Sequence, residues 1–187
     1  NVAISDNTAG VKGGGLYSEN EFSIASIANS TIENNSAQYG GGLHLNNGSI
    51  ELDNVTIDGN YASQQGSAVY THSSTSQTLT INNSRIINNN TQHYTLRIHG
   101  SLYMKNTLVS GNHATGEVGG IYKLTSHGVT LDNVTITNNS GFPTLKIIEG
   151  PIAITNSIIY GNESDIQMEF QASYNDPLNI SYSNIEN

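Results

Sequence analysis

Apolar and polar residues alternate along short stretches of this chain, each ending on an asparagine. Examples are Ile50-x-Leu52-x-Asn54, Leu79-x-Ile81-x-Asn83, Leu102-x-Met104-x-Asn106 and Ile152-x-Ile154-x-Asn156. A period of two puts every second side chain on one face, which is the pattern of a strand with one buried side. A second set of apolar-centred segments reads GGGLYS at 13–18, GGGLHL at 40–45, GSAVYT at 66–71, TLRIHG at 95–100 and GGIYKL at 119–124. Glycine ahead of the aliphatic residue suits a tight bend or a close backbone approach. No stretch carries a helical i, i+3, i+4 pattern of useful length, and the abundant Gly and Asn oppose one.

The alternating stretches lead into a unit, N-x-x-[IV]-x-x-N, that occurs seven times. It appears as Asn1–Ile4–Asn7, Asn29–Ile32–Asn35, Asn54–Ile57–Asn60 and Asn83–Ile86–Asn89, then as Asn106–Val109–Asn112, Asn133–Ile136–Asn139 and Asn156–Ile159–Asn162. Successive units lie 28, 25, 29, 23, 27 and 23 residues apart, and a degenerate eighth, Tyr182–Ile185, follows. A period of about 26 residues holding three short strands and no helix is the arithmetic of a β-solenoid coil. One coil cannot bury its apolar face alone, so neighbours stack and the aliphatic residues form columns inside the tube. The asparagines fit the same picture. Asn tolerates the left-handed backbone of a sharp corner, and its amide can bond the Asn one coil above and below. The predicted ladder comprises Asn29, Asn54, Asn83, Asn106, Asn133 and Asn156 at one corner, and Asn35, Asn60, Asn89, Asn112, Asn139 and Asn162 at the next. The segments after the second Asn, Tyr61–Gly66, Asn90–Tyr94 and His113–Val118, read as variable loops open to partners.

These motifs resemble the repeats of secreted bacterial right-handed parallel β-helix proteins, in particular polymorphic outer-membrane proteins and autotransporter-type passengers. That family pairs GGA[ILV] with FxxN. Here the first motif is matched by GGGL at 13–16 and 40–43, GSAV at 66–69 and GGIY at 119–122. The second is matched by ISDN, IENN, IDGN, IINN, VSGN, ITNN and IYGN, with an aliphatic in place of Phe throughout. The resemblance implies an all-β, right-handed parallel β-helix at the bacterial cell surface or outside the cell, in proteins of which many act in adhesion. With about seven coils the rod would be roughly 34 Å long. Residues 1–187 read as a single such segment, expected to be part of a longer chain that carries the leader, any anchor and flanking domains, because both ends fall in mid-repeat.

Composition narrows the chemistry. Six Lys and Arg stand against fifteen Asp and Glu, a formal charge of −9 that argues against a nucleic-acid partner, since phosphate binding needs a clustered positive field. It also disfavours acidic ligands unless a local basic cluster dominates. The absence of Cys excludes a disulfide scaffold and a thiolate metal site. No stretch is long and apolar enough to insert into a membrane, and NVAISDNTAG is not a signal peptide. The glycines are not a phosphate loop, and the six His lack metal-ligand spacing. Asn, Ser and Thr make up 65 residues, so sequons such as Asn54-Val55-Thr56 arise freely and several use corner Asn side chains that the fold needs.

Coil stacking turns the sequence into surface columns spaced about 4.8 Å apart. The residue after the buried aliphatic of the second segment set is predicted to point outward, giving a ligand-binding column of Tyr17, His44, Tyr70, His99 and Tyr122, with Arg97, Lys123, His72 and Lys146 beside it. Rings with polar tips suit glycans or surface proteins, of host or environmental origin. The same residues also stack well simply to stabilise a sheet. The alternative function is a carbohydrate-binding module or a carbohydrate-active enzyme, either a lyase or a hydrolase. A lyase needs a base, an acid and a cation for the uronate, roles open to Arg97, His99, Tyr122 and Lys123. A hydrolase needs paired carboxylates. Glu33 and Asp58 sit at one position on adjacent coils, about 5 Å apart, and could equally hold Ca²⁺ or be a solvated pair. Asp53 and Asp132 share a column but lie about 14 Å apart, too far to cooperate. Lys105, one coil from Asp132, reads as an exposed ion pair. The leading function is non-catalytic: a stalk or adhesin segment that needs no cofactor.

Overall fold

The computed structural model describes residues 1–19, 24–72, 77–163 and 177–185. Among them every regular element is a strand, and every strand pairing is parallel. The strands form sheets of eleven, four and six members, here sheets 1, 2 and 3. One coil shows the construction. Ser49–Asp58 belongs to sheet 1 and carries the alternating stretch, a bend at Asn54 (φ 53°) and the residues up to the second corner. Gly59 (φ 62°) turns that corner, Tyr61–Gln65 adds to sheet 2, Gly66 (φ 71°) turns again, and Val69–Thr71 adds to sheet 3. The chain then returns to sheet 1 one level along the axis.

The two asparagines of each unit do different jobs. The first takes the left-handed conformation itself, with φ between 50° and 54° at Asn29, Asn54, Asn83, Asn106, Asn133 and Asn156. Its carboxamide faces solvent and bonds along the surface, as in Asn54 Nδ2 to Asn29 Oδ1 (2.8 Å) and Asn133 Nδ2 to Asn106 Oδ1 (2.8 Å). Tyr182 occupies the same corner with φ 50°. At the second corner the left-handed residue is the one before the Asn: Asp6, Asn34, Gly59, Asn88, Gly111, Asn138 or Gly161. This swings the following Asn inward. Asn35, Asn60, Asn89 and Asn112 are fully buried and form an internal ladder. Asn89 is typical. Its Nδ2 donates to Asn112 Oδ1 (2.9 Å) and to the Ile57 carbonyl (3.1 Å), while its Oδ1 accepts from the backbone N–H (3.0 Å) and Nδ2 (3.0 Å) of Asn60. Rung-to-rung bonds run unbroken from Asn7 to Asn162, so six turns separate the first rung from the last. About seven coils were expected; the ladder spans six turns with partial coils beyond.

The aliphatic columns follow from that register. Ile32, Ile57, Ile86, Val109, Ile136 and Ile159 stack in one line, and Leu43, Val69, Leu96, Ile121 and Leu145 in another, all buried. Inside sheet 2 the column is small, Ala37, Ala62, Thr91 and Ala114. This corrects the reading of Tyr61–Gly66, Asn90–Tyr94 and His113–Val118 as variable loops. Each begins with a strand of sheet 2, whose short Ala- and Thr-centred stretches lack the aliphatic alternation that marks sheets 1 and 3.

The internal ladder gives a direct prediction. Asn89→Ala strands the donors of Asn60 in a dry interior and should cost about 4 kcal/mol. Asn106→Ala loses two exposed bonds and leaves at φ 50° a residue without the polar tip that lets Asn tolerate the left-handed backbone, a cost of about 1 kcal/mol. Urea midpoints of the two variants should therefore differ several-fold in their displacement; equal displacement would mean that the buried rungs are no more important than the surface ones.

Candidate functional site

The outward residues of sheet 3 are held in line by strand register. Tyr17 pairs with His44, His44 with Tyr70, Tyr70 with Arg97, Arg97 with Tyr122 and Tyr122 with Lys146. Four of the five column residues expected from sequence are therefore in place, and the fifth is not. Arg97 occupies the position assigned to His99. TLRIHG offers two aliphatic residues, and it is Leu96 rather than Ile98 that registers with Val69 and Ile121. His99 lies two residues further along, where its backbone N–H donates to Thr71 Oγ1 (2.8 Å) and its ring sits 6.4 Å from that of His72.

The rings face one another along the axis rather than outward. His44 stacks on Tyr70 with centroids 4.6 Å apart and planes 22° from parallel, and Tyr17 tilts against His44 at 5.3 Å. The Arg97 guanidinium lies over Tyr70 at 4.7 Å, and Lys12 over Tyr17 at 5.5 Å. Tyr39 meets Tyr70 edge-on at 5.5 Å, and Tyr94 stacks on Tyr122 at 4.2 Å. His44 is 1% exposed and Tyr70 is buried, whereas Tyr17 keeps 40% of its surface. A sugar needs an open ring face to stack on, and in the centre of this column those faces are taken. Ring edges, hydroxyl tips and cations are what meet solvent.

The enzyme candidates disperse. Arg97 and Tyr122 are neighbours, but Lys123, expected outward, is 0% exposed and registers with Ile98 and Ile147 in an interior column. Its ammonium donates to the carbonyls of Thr125 and His127, which offset the cost of burying the charge. Period two does put Lys123 on the inner face, two residues after Ile121; its charge alone points the other way. Glu33 and Asp58 are register partners as anticipated; Asp58 accepts from Asn88 Nδ2 (3.0 Å). Among the described residues no three or more His, Asp or Glu converge as a metal site. Asp53 registers with Asn82, which registers with Lys105, and Lys105 with Asp132, so the three-coil separation of the two aspartates holds. Lys105 Nζ is 3.4 Å from Asp132, whose carboxyl is held below its ordinary range by the hydrogen bond from Asn156 first and Lys105 second. A contact that sequence gave no sign of joins His113 Nδ1 to Ser140 Oγ beside a shallow depression of about 430 Å³. Glu163 there accepts from the Gly141 N–H (3.2 Å), and among the described residues no acid orients that His.

Residues 1–19 match the model of the Chlamydia polymorphic membrane protein repeat. That stretch holds the first Asn–Ile–Asn unit and the first GGGL, and the Asn–aliphatic–Asn unit recurs to Asn162. The chain is thus a parallel β-helix repeat protein similar to polymorphic membrane proteins. No curated protein and no solved structure matches it.

Burial, followed by the charges of Lys12, His72 and Arg97, pulls His44 down from 6.5 to about 4 against a raising hydrogen bond to the Tyr39 carbonyl. Burial, followed by Arg97, His72 and Lys123, does the same to His99, also to about 4. Because the unfolded chain takes up these protons first, stability is full above pH 6.5 and falls as pH drops toward 4. In His44→Phe, which keeps a ring against Tyr70, the melting temperature should fall less steeply over that window than in the parent chain. Parallel curves would show that His44 is not what the acid acts on.

Proposed function

We propose that this chain is a non-catalytic, rigid segment of a bacterial surface or secreted protein, held outside the cell, whose outward faces adhere to glycans or proteins of another surface. The observation that carries the reading is the unbroken register. Six turns share one internal ladder and one set of aliphatic columns, so the segment is a stiff rod whose side chains repeat at a fixed spacing. Such a rod presents repeated weak contacts to an extended partner, and repetition converts weak contacts into avidity. The scatter of the lyase candidates supports the non-catalytic side of the reading, since general acid–base chemistry needs its groups within reach of one bond.

The test is adhesion with turnover measured in parallel. Beads coated with the folded chain should be retained on glycan- and protein-bearing cell surfaces more than beads coated with Asn89→Ala, while reducing ends and unsaturated products stay at background. Product from any polysaccharide in a neutral and acidic panel would replace this reading with the enzyme. Equal retention of both bead types would sever adhesion from the fold.

A further inference from the structure

We infer that the outward face of sheet 2 binds an uncharged hexopyranose of a glycan, stacked on the ring of Tyr61 and hydrogen-bonded by the side chains around it. The inference rests on the adhesive reading above and names the ligand class and its site. The strands of sheet 2, Ser36–Tyr39, Tyr61–Gln65, Asn90–Thr91 and His113–Ala114, contain no Asp, Glu, Lys or Arg, in a chain with fifteen Asp and Glu. Ala37, Ala62, Thr91 and Ala114 take the interior. Period two therefore turns Tyr61, Asn90 and His113 outward in one row, with Ser63, Gln92 and Thr115 in the row beside it. Tyr61, Ser63, Asn90, Gln92 and Thr115 line a shallow depression of about 380 Å³, a volume within the range of small-ligand sites, about 300–1,000 Å³.

Tyr61 differs from the rings of sheet 3 in what stands one coil away. Its register partners are Ser36 on one side and Asn90 on the other, so no second ring covers it as Tyr70 covers His44. The side chain keeps 47% of its surface. Among the described residues its ring touches no other ring, and the side-chain polar groups of Ser63, Asn90, Gln92 and Thr115 are not spent on the chain itself. A pyranose has the matching halves, a face of C–H groups for the ring and an edge of hydroxyls that both give and take hydrogen bonds. Amides and hydroxyls also give and take, without charge. Glu117, two residues past Thr115, lies 3.6 Å from His93 Nδ1; it disfavours an anion on this face and leaves a neutral sugar unaffected. Thr115 also borders the depression at His113, so a longer glycan has room to continue along the axis. Other partners fit less well. Nucleic acid needs clustered cations, which the strands of sheet 2 do not supply. An added peptide strand needs a free sheet edge, and Tyr61–Gln65 is paired on both sides.

The experiment is an NMR titration of the whole chain with cellotetraose, maltotetraose, mannotetraose and β-1,4-galactotetraose, and with a hyaluronan tetrasaccharide as the charged control. At least one of the uncharged set should move the Tyr61 ring signals and the side-chain amide signals of Asn90 and Gln92 to saturation. The rings of Tyr17 and Tyr122 should not respond, and neither should the chain to the hyaluronan fragment. Tyr61→Ala should weaken binding about tenfold, Tyr61→Phe should keep most of it, and Tyr122→Ala on sheet 3 should change nothing. Unmoved signals from the aliphatic columns of each variant separate lost binding from lost fold. No response to any of the four sugars, a response that survives Tyr61→Ala, a stronger response to the hyaluronan fragment, or saturable shifts centred on sheet 3 would overturn the inference. Beads that adhere while no sugar moves Tyr61 remove the site and leave the adhesive reading; sugars that bind at Tyr61 while the beads fail to adhere leave the site and remove the adhesive reading.

Discussion

Everything in this molecule depends on what a buried corner does with its amides. A parallel coil must turn sharply at its second corner, and the turn leaves backbone donors and carbonyls facing a dry interior where an unpaired group costs about 1–3 kcal/mol. Asparagine answers this with a short side chain that both donates and accepts. Each internal Asn accepts two donors from one neighbouring coil and gives two, its backbone N–H and one amide hydrogen, to the next, while its second amide hydrogen reaches a carbonyl of the strand beside it. The carboxamides all point the same way along the axis, so each bond polarises its neighbour in the same sense. Serine has one hydrogen to give, and glutamine is a methylene too long for the slot.

Fixing that corner fixes the rest of the coil. The two asparagines of a unit are always six positions apart, whereas the interval between units varies from 23 to 29. The variation is therefore absorbed elsewhere, between the sheets, and the aliphatic residue midway between the asparagines is driven into the same column at every level. The corner after the alternating stretch is reinforced from inside. Ser30, Ser84, Thr107 and Ser157 follow the first Asn, and each hydroxyl donates to the carbonyl two residues back. Val55 and Val134 hold the equivalent place and donate their backbone N–H groups to the serine hydroxyl of the next coil.

How far this was legible in sequence follows from which interactions leave a periodic trace. The ladder corners and the sheet 1 columns were legible because Asn at a fixed separation of six and aliphatics at a separation of two have few alternative meanings. Sheet 2 leaves no such trace because its interior needs only Ala or Thr, residues that carry little hydrophobic signal. On sheet 3 the reading slipped by two residues at TLRIHG. Leu96 and Ile98 both face inward, so the pattern cannot choose between them, and only the neighbouring strands do. Lys123 hides its place for the opposite reason. It stands at an interior position where period two asks for an aliphatic, and nearby carbonyls make a lysine acceptable there.

The same fixed register shapes any contact the rod makes. A globular domain gathers its binding groups from loops into a concave site, where spacing is free to match a small ligand. Here outward groups repeat at about 4.8 Å and are tied to the core by strand pairing, so spacing is imposed by the backbone. Rings placed in consecutive coils stack on each other before anything else reaches them, which is what His44 and Tyr70 do. An aromatic column on a parallel β-helix therefore contributes first to the sheet's own stability. What it leaves for recognition is charge at its margins, because a long basic side chain buries its stem along the rings and still keeps its head in water. On this reasoning the polarity of the column, more than its aromaticity, is what sheet 3 turns toward solvent.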